Sequence, residues 1–175
     1  LPRVEDKASW KPLQVRRADA NTICQWFQDA TDCNIGIICG NGLLVIDVDG
    51  DKGRTTLLAL PELPQTVTAI TGRENGGTHY YLRLKPGRWK RNAAGEALHN
   101  TSGIDLQGEG HYVVAPPSLH PTGKLYRWAE GQSPSEMEIA DAPEWLYEFL
   151  EEVPEEGETP TLPAKLRAPR DDISL

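Results

Sequence analysis

The chain is poor in cysteine and has no long apolar run. Its three cysteines, Cys24, Cys33 and Cys39, are an odd count with no C-x-x-C pair. That argues against a disulfide framework and against a zinc ribbon, and leaves buried free thiols as the expected state. No apolar stretch approaches the roughly 20 residues of a membrane span, and the N-terminus lacks the charged-then-apolar pattern of a secretory signal. The chain therefore reads as soluble and cytoplasmic, with no membrane partner. Hydrophobic residues are also sparse, at 38% of 175, enough for one core and a short appendage.

Positive charge is in deficit too. A net charge of −8 opposes a nucleic-acid partner at first sight, because affinity for phosphate comes from Lys and Arg. The deficit is local, however. From Glu136 to Leu175 there are 12 acidic and 3 basic residues, which leaves 14 acidic against 15 basic in the first 135. From Glu151 onward proline, glutamate and threonine dominate, so residues 1–150 read as one folded domain and 151–175 as an acidic, proline-rich linker or tail.

Periodicity supplies the elements. Ile23, Trp26, Phe27 and Ala30 recur at i, i+3, i+4 and i+7, which predicts a helix over Asp19–Ala30 capped by Asp19 or Asn21. Two apolar runs, Asn34–Cys39 and Leu43–Asp49, flank Asn41-Gly42 and read as a hairpin. Gly50–Gly53 should break the strand, with a short helix over Arg54–Leu60 ended by Pro61 and Pro64. Thr66–Thr71 and Thr78–Leu84 form a second strand-loop-strand unit around a glycine-rich loop, and Ile104–Leu106 with His111–Ala115 a third. Lys85–Ser102 reads as a polar basic loop, Leu125–Trp128 as a further strand, and Ala142–Leu150 as a helix with Trp145, Leu146 and Phe149 on one side. Strands predominate, with helices near both ends, an α+β pattern.

Side chains alternate along a strand, so Asp47 and Asp49 project from the same face, about 7 Å apart at Cα. Two such carboxylates repel unless a cation lies between them, and hard oxygen donors suit Mg²⁺ or Mn²⁺. An EF-hand is excluded, since loop position six is Lys52, position twelve is Leu58, and the preceding segment is β-like. A solvated strand end remains the plain alternative for the pair. Asp105, between Ile104 and Leu106, adds a carboxylate that would be costly to bury unpaired; otherwise it is a turn-adjacent surface residue. Three carboxylates together are what a two-metal site needs, one ion activating a 3′-hydroxyl and the other neutralising a triphosphate. His79 follows a loop of small residues and could donate to that triphosphate, with Arg73 as a second contact; the alternative is a structural histidine.

Leu44–Asp49, Thr71–Tyr81 and Gly103–Gly123 resemble, in order, the three motifs of the bifunctional primase-polymerase N-terminal domains of the archaeo-eukaryotic primase superfamily. The resemblance covers roughly Ile35 to Trp128. It implies a compact RRM-like primase core of mixed and antiparallel sheets flanked by helices. It further implies metal-binding catalytic carboxylates at Asp47, Asp49 and Asp105, with His79 contacting the phosphates of nucleoside triphosphate substrates. The family's second motif often has Ser two residues before the histidine, where this chain has Gly77, so Thr78 or a backbone amide would replace that contact. Ser118 and His120 fall in the tail of the third motif without a derivable role. A helicase or helical accessory domain is the partner the family implies, and a plasmid, phage or integrated element its setting.

A single-stranded DNA template also needs a holder. Arg83, Lys85, Arg88, Lys90 and Arg91 place five basic residues in nine, with Trp89 among them. Backbone charge plus base stacking would suit a template, and a solvated basic loop is the alternative. Two other functions share these residues: a metal-dependent nuclease, and a non-catalytic DNA-binding replication-initiation module.

Overall fold

Leu43–Asp49 alternates aliphatic residues on one face with a face that turns acidic at its end. That suits a strand buried on both sides whose last residues reach an edge. A computed structural model of the chain describes residues 3–4, 7–8, 10–29, 33–86, 88 and 103–151. In chain order the elements are β1 (Arg3–Val4), β2 (Lys7–Ala8), α1 (Lys11–Val15), α2 (Ala20–Asp29), β3 (Ile35–Ile38), β4 (Leu43–Asp49), α3 (Gly50–Leu58), β5 (Thr68–Ile70), β6 (Gly77–Arg83), β7 (Ile104–Gln107), β8 (Tyr112–Ala115), β9 (Arg127–Trp128), β10 (Ala140–Asp141) and α4 (Glu144–Glu151).

The main sheet runs β7-β4-β6-β5-β9, antiparallel at each pairing, and β10 joins β6 in parallel. β5 and β10 share one edge of β6, pairing with residues 78–80 and 82–83 respectively. Buried Thr66 fills the changeover: its hydroxyl donates to the Tyr81 carbonyl and accepts the Ala140 N–H at 3.0 Å. Among the described residues two smaller sheets, β3-β8 and β1-β2, hold the other strands.

The core has two layers. On one face of the main sheet Leu44, Ile46, Val48, Leu82, Ile104 and Leu106 pack with Leu146 and Tyr147 of α4 and Leu57 of α3. On the other, Val45, Val67, Ala69 and Tyr81 pack with Cys39 and Val113 from the β3-β8 side. The expected α+β class, antiparallel sheets with few flanking helices, is the one adopted. Among the described residues no helix is long and apolar enough to cross a membrane.

The α2 helix begins as expected, and its cap is Asp19, whose carboxylate accepts the Thr22 N–H at 2.8 Å. The second strand-loop-strand unit is a true pair, β5 with β6. The first is not. Asn41 (φ 51°) and Gly42 (φ 89°) do make a two-residue turn, closed by Gly40 and Leu43 exchanging N–H···O bonds of 2.8 and 3.0 Å. Beyond it the strands part, because both edges of β4 are taken by β6 and β7, and β3 pairs with β8 instead. The third expected pair fails as well: β7 pairs with β4, and β8 crosses to β3. Gly50 does not delay the helix, which starts there rather than at Arg54 and carries Asp51 in its first turn, where a carboxylate suits the dipole. α1, β1, β2 and β10 were not anticipated. The tail from residue 152 lies outside the described residues.

Two expected outcomes test this packing. Gly53 lies inside α3, where alanine normally favours the helix; yet a Cβ there would sit 2.3 Å from the Gly103 carbonyl oxygen. Gly53→Ala should therefore lower unfolding free energy by about 1–3 kcal/mol in urea titrations, and an increase would contradict the close approach. Burial first, and then the Asp47 carboxylate, push the Cys39 thiol up to about 12, while Cys24 and Cys33 are exposed. At pH 8 an alkylating reagent should modify Cys24 and Cys33 and spare Cys39 until the chain is unfolded, as peptide mass spectrometry would read, since Cys39's thiolate fraction is about a thousandfold below an ordinary cysteine's.

Candidate active site

Strand register assembles the site. Asp47 of β4 lies directly opposite His79 of β6 and, on its other side, opposite Asp105 of β7. Opposed residues of antiparallel strands share a face, so Asp105, Asp47 and His79 form one row across three strands. Asp49 follows on the same face two residues along, opposite Gly77. The His79 Nε2 is 3.4 Å from an Asp47 oxygen, and an Arg73 guanidinium nitrogen is 3.0 Å from an Asp49 oxygen. Side-chain exposure is 14% at Asp47, 10% at Asp49 and 6% at His79, against 49% at Arg73. Three of the four groups are thus nearly withdrawn from water.

Such withdrawal is expensive unless charge is compensated. Asp47 Oδ1 and His79 Nδ1 are buried without a hydrogen-bond partner among the described residues. The surrounding hydroxyls register the negative field. Tyr126 is pushed up by burial and by Asp47 and Asp49, with Arg73 opposing, and Tyr81 is pushed up by burial first, with Asp47 among the lesser causes. Tyr126 is a member of the site that the sequence reading missed. Its ring lies 6.1 Å from that of His79 and 5.8 Å from that of His120. The one signal for it was its place in the S-L-H-P-T-G-K-L-Y run. There the Leu119–Leu125 bridge and the Tyr126 N–H to Ser118 carbonyl bond fold the chain back. Ser118 acquires a structural role, its hydroxyl accepting the Ile35 N–H at 2.8 Å.

Beside Asp49 opens a cleft of about 550 Å³, bounded by the first turn of α3, the Arg73–Gly76 loop, His120 and Thr122. Its volume is within the range of small-molecule sites. Its walls are tied together: Thr122 donates its hydroxyl to the Gly72 carbonyl at 2.6 Å, Arg54 donates to the Asn75 carbonyl at 3.1 Å, and the Gly50 N–H donates to the Gly76 carbonyl at 3.0 Å. Carboxylate oxygens in register are the donor type a small hard dication prefers, and the Asp47 oxygen that His79 approaches without a hydrogen bond fits one. Among the described residues no three His, Cys, Asp or Glu side chains converge as a finished cage, so a metal would have to draw these carboxylates together by side-chain rotation.

Other expected site residues fall elsewhere. Thr78 lies opposite Val48 and so faces the helices, away from His79. At Gly77 a Cβ would lie 2.5 Å from the Thr71 hydroxyl, so that hydroxyl fills the space a serine side chain would need. Arg83, Lys85 and Arg88 are at the far end of β6, about 13 Å along the strand from His79 for Arg83. Arg83 pairs with Asp141 at 2.7 Å, Lys85 with Glu144, and Arg88 with Glu144 at 3.5 Å while covering the Tyr147 ring at 4.2 Å. Trp89, Lys90 and Arg91 lie outside the described residues.

No curated protein matches this sequence closely enough to count. A family match, by contrast, runs over residues 2–145, described as bifunctional DNA primase/polymerase, N-terminal. That span takes in every strand named above and the whole row from Asp105 to His79. The chain belongs to the Prim-Pol family of bifunctional DNA primase/polymerase N-terminal domains.

Proposed function

We propose that the chain is a nucleotidyltransferase that adds nucleotides to a 3′-hydroxyl opposite a single-stranded DNA template, with Asp47, Asp49 and Asp105 holding one or two Mg²⁺ or Mn²⁺ ions. The row Asp105–Asp47–His79, set by the β7-β4-β6 register, is the observation that carries this reading; family membership gives the reaction class. When bound, the metal supplies a lowered pKa for the attacking hydroxyl and neutralises triphosphate charge.

The remaining work falls to the chain's own groups. His79, held beside Asp47, donates from its ring to triphosphate oxygens, and Arg73 at the cleft mouth gives them a two-pronged contact. Tyr126 braces His79 and His120 through ring contact. Because Arg83, Lys85 and Arg88 are matched by Asp141 and Glu144, this reading leaves the template to Trp89, Lys90 and Arg91, by stacking and charge. A partner helicase or helical accessory domain, in a plasmid, phage or integrated element, belongs to the same reading.

The test supplies single-stranded DNA, Mn²⁺ or Mg²⁺ and labelled nucleotides, and follows product on a gel. Extension by the parent chain should fall at least about a hundredfold in Asp47→Ala. Equal product from the variant, or strand degradation without nucleotides, would sink the proposal.

A further inference from the structure

We propose that Arg73 exchanges partners as the site loads: its guanidinium holds the Asp49 carboxylate until a divalent cation takes that oxygen, and then turns to the triphosphate. The proposal rests on the functional reading above and adds a second task for Arg73.

The geometry has three parts. First, the contact is 3.0 Å, and it joins a half-exposed arginine to a carboxylate whose side chain is only 10% exposed. A metal bound to that oxygen at about 2.1 Å would bring a dication and the guanidinium within a few ångströms of each other, where like charges repel strongly. The two cations therefore compete for Asp49.

Second, the main chain around Arg73 is fixed. The Gly72 carbonyl accepts the Thr122 hydroxyl at 2.6 Å, the Arg73 carbonyl accepts the Gly76 N–H at 3.2 Å, and the Gly76 carbonyl accepts the Gly50 N–H at 3.0 Å. Release is then a matter of side-chain rotation, with the loop left in place. Third, Arg73 and Asp49 line the same cleft, together with His120 and Thr122. A guanidinium leaving Asp49 stays over the space where a triphosphate would lie, and its planar fork matches phosphate oxygens.

The effects of Arg73 on the two ligands must accordingly have opposite signs. It opposes the metal and supports the nucleotide, whereas an arginine that merely braced the loop would help both. In Arg73→Ala and Arg73→Gln, Mn²⁺ titrated without nucleotide and followed by electron paramagnetic resonance should bind at least about threefold more tightly. The nucleoside triphosphate KM should rise at least about fivefold in the same variants. Mn²⁺ affinity that is unchanged or weaker in both variants overturns the exchange. Asp47→Ala and Asp105→Ala are titrated alongside: Mn²⁺ binding lost in these, with no gain in the Arg73 variants, overturns the exchange alone. Binding that survives both aspartate variants overturns the functional reading and the exchange with it.

Discussion

β4 has no free edge along its middle. From Leu43 to Asp49 every residue is matched on β6, and Val45 to Val48 are matched on β7 as well. Leu44, Ile46 and Val48 point into the layer beneath the helices, while Leu43 and Val45 line the other core and lead to Asp47 and Asp49. A slip of one residue would drive both carboxylates into the aliphatic layer and turn three aliphatic side chains out of it. The penalty on that slip fixes the row, so the energy that positions the acidic groups comes mainly from hydrophobic packing on the reverse of the same strand.

The face bearing the row is divided. Val45, Ala69 and Tyr81 close one part against Cys39 and Val113, and the acidic part begins one side chain further on. At the boundary, burial first and then the Asp47 carboxylate raise both the Cys39 thiol and the Tyr126 hydroxyl. At the other end of β6 the balance is different. Asp141 and Glu144, counted with the acidic C-terminal segment by composition, lie within the fold and neutralise Arg83, Lys85 and Arg88. The acidity of that segment is thus partly a structural counter-charge.

Much of this was legible in the chain. The α2 stripe, the β5-β6 unit and the shared face of Asp47 and Asp49 follow from local periods of 3.6 and 2. Asp105 and His79 were legible as candidates, but their meeting across Asp47 was not, because pairing between strands far apart in sequence has no local signature. The Asn41-Gly42 signal was right about the turn and wrong about the partner: a turn fixes where the chain reverses, while free edges decide which strands pair. Tyr126 was missed because its importance lies in two rings it touches, both brought to it by the fold. The ion pairs of Arg83, Lys85 and Arg88 were hidden for a related reason, since charge counting is blind to partners supplied by β10 and α4.

Gly53 and Gly103 bring α3 and the start of β7 together backbone to backbone, and the Gly103 carbonyl also accepts the Asp49 N–H at 2.8 Å. Main-chain atoms therefore gauge the gap between the strand end that carries Asp49 and the strand that carries Asp105. The chemical identity of main-chain groups does not change when neighbouring side chains are exchanged. Swaps of leucine for isoleucine or methionine in the aliphatic layer leave the groups that make this contact in place. The two glycines act as a fixed spacer, and a lineage that kept them could vary much of the surrounding core without retuning its site.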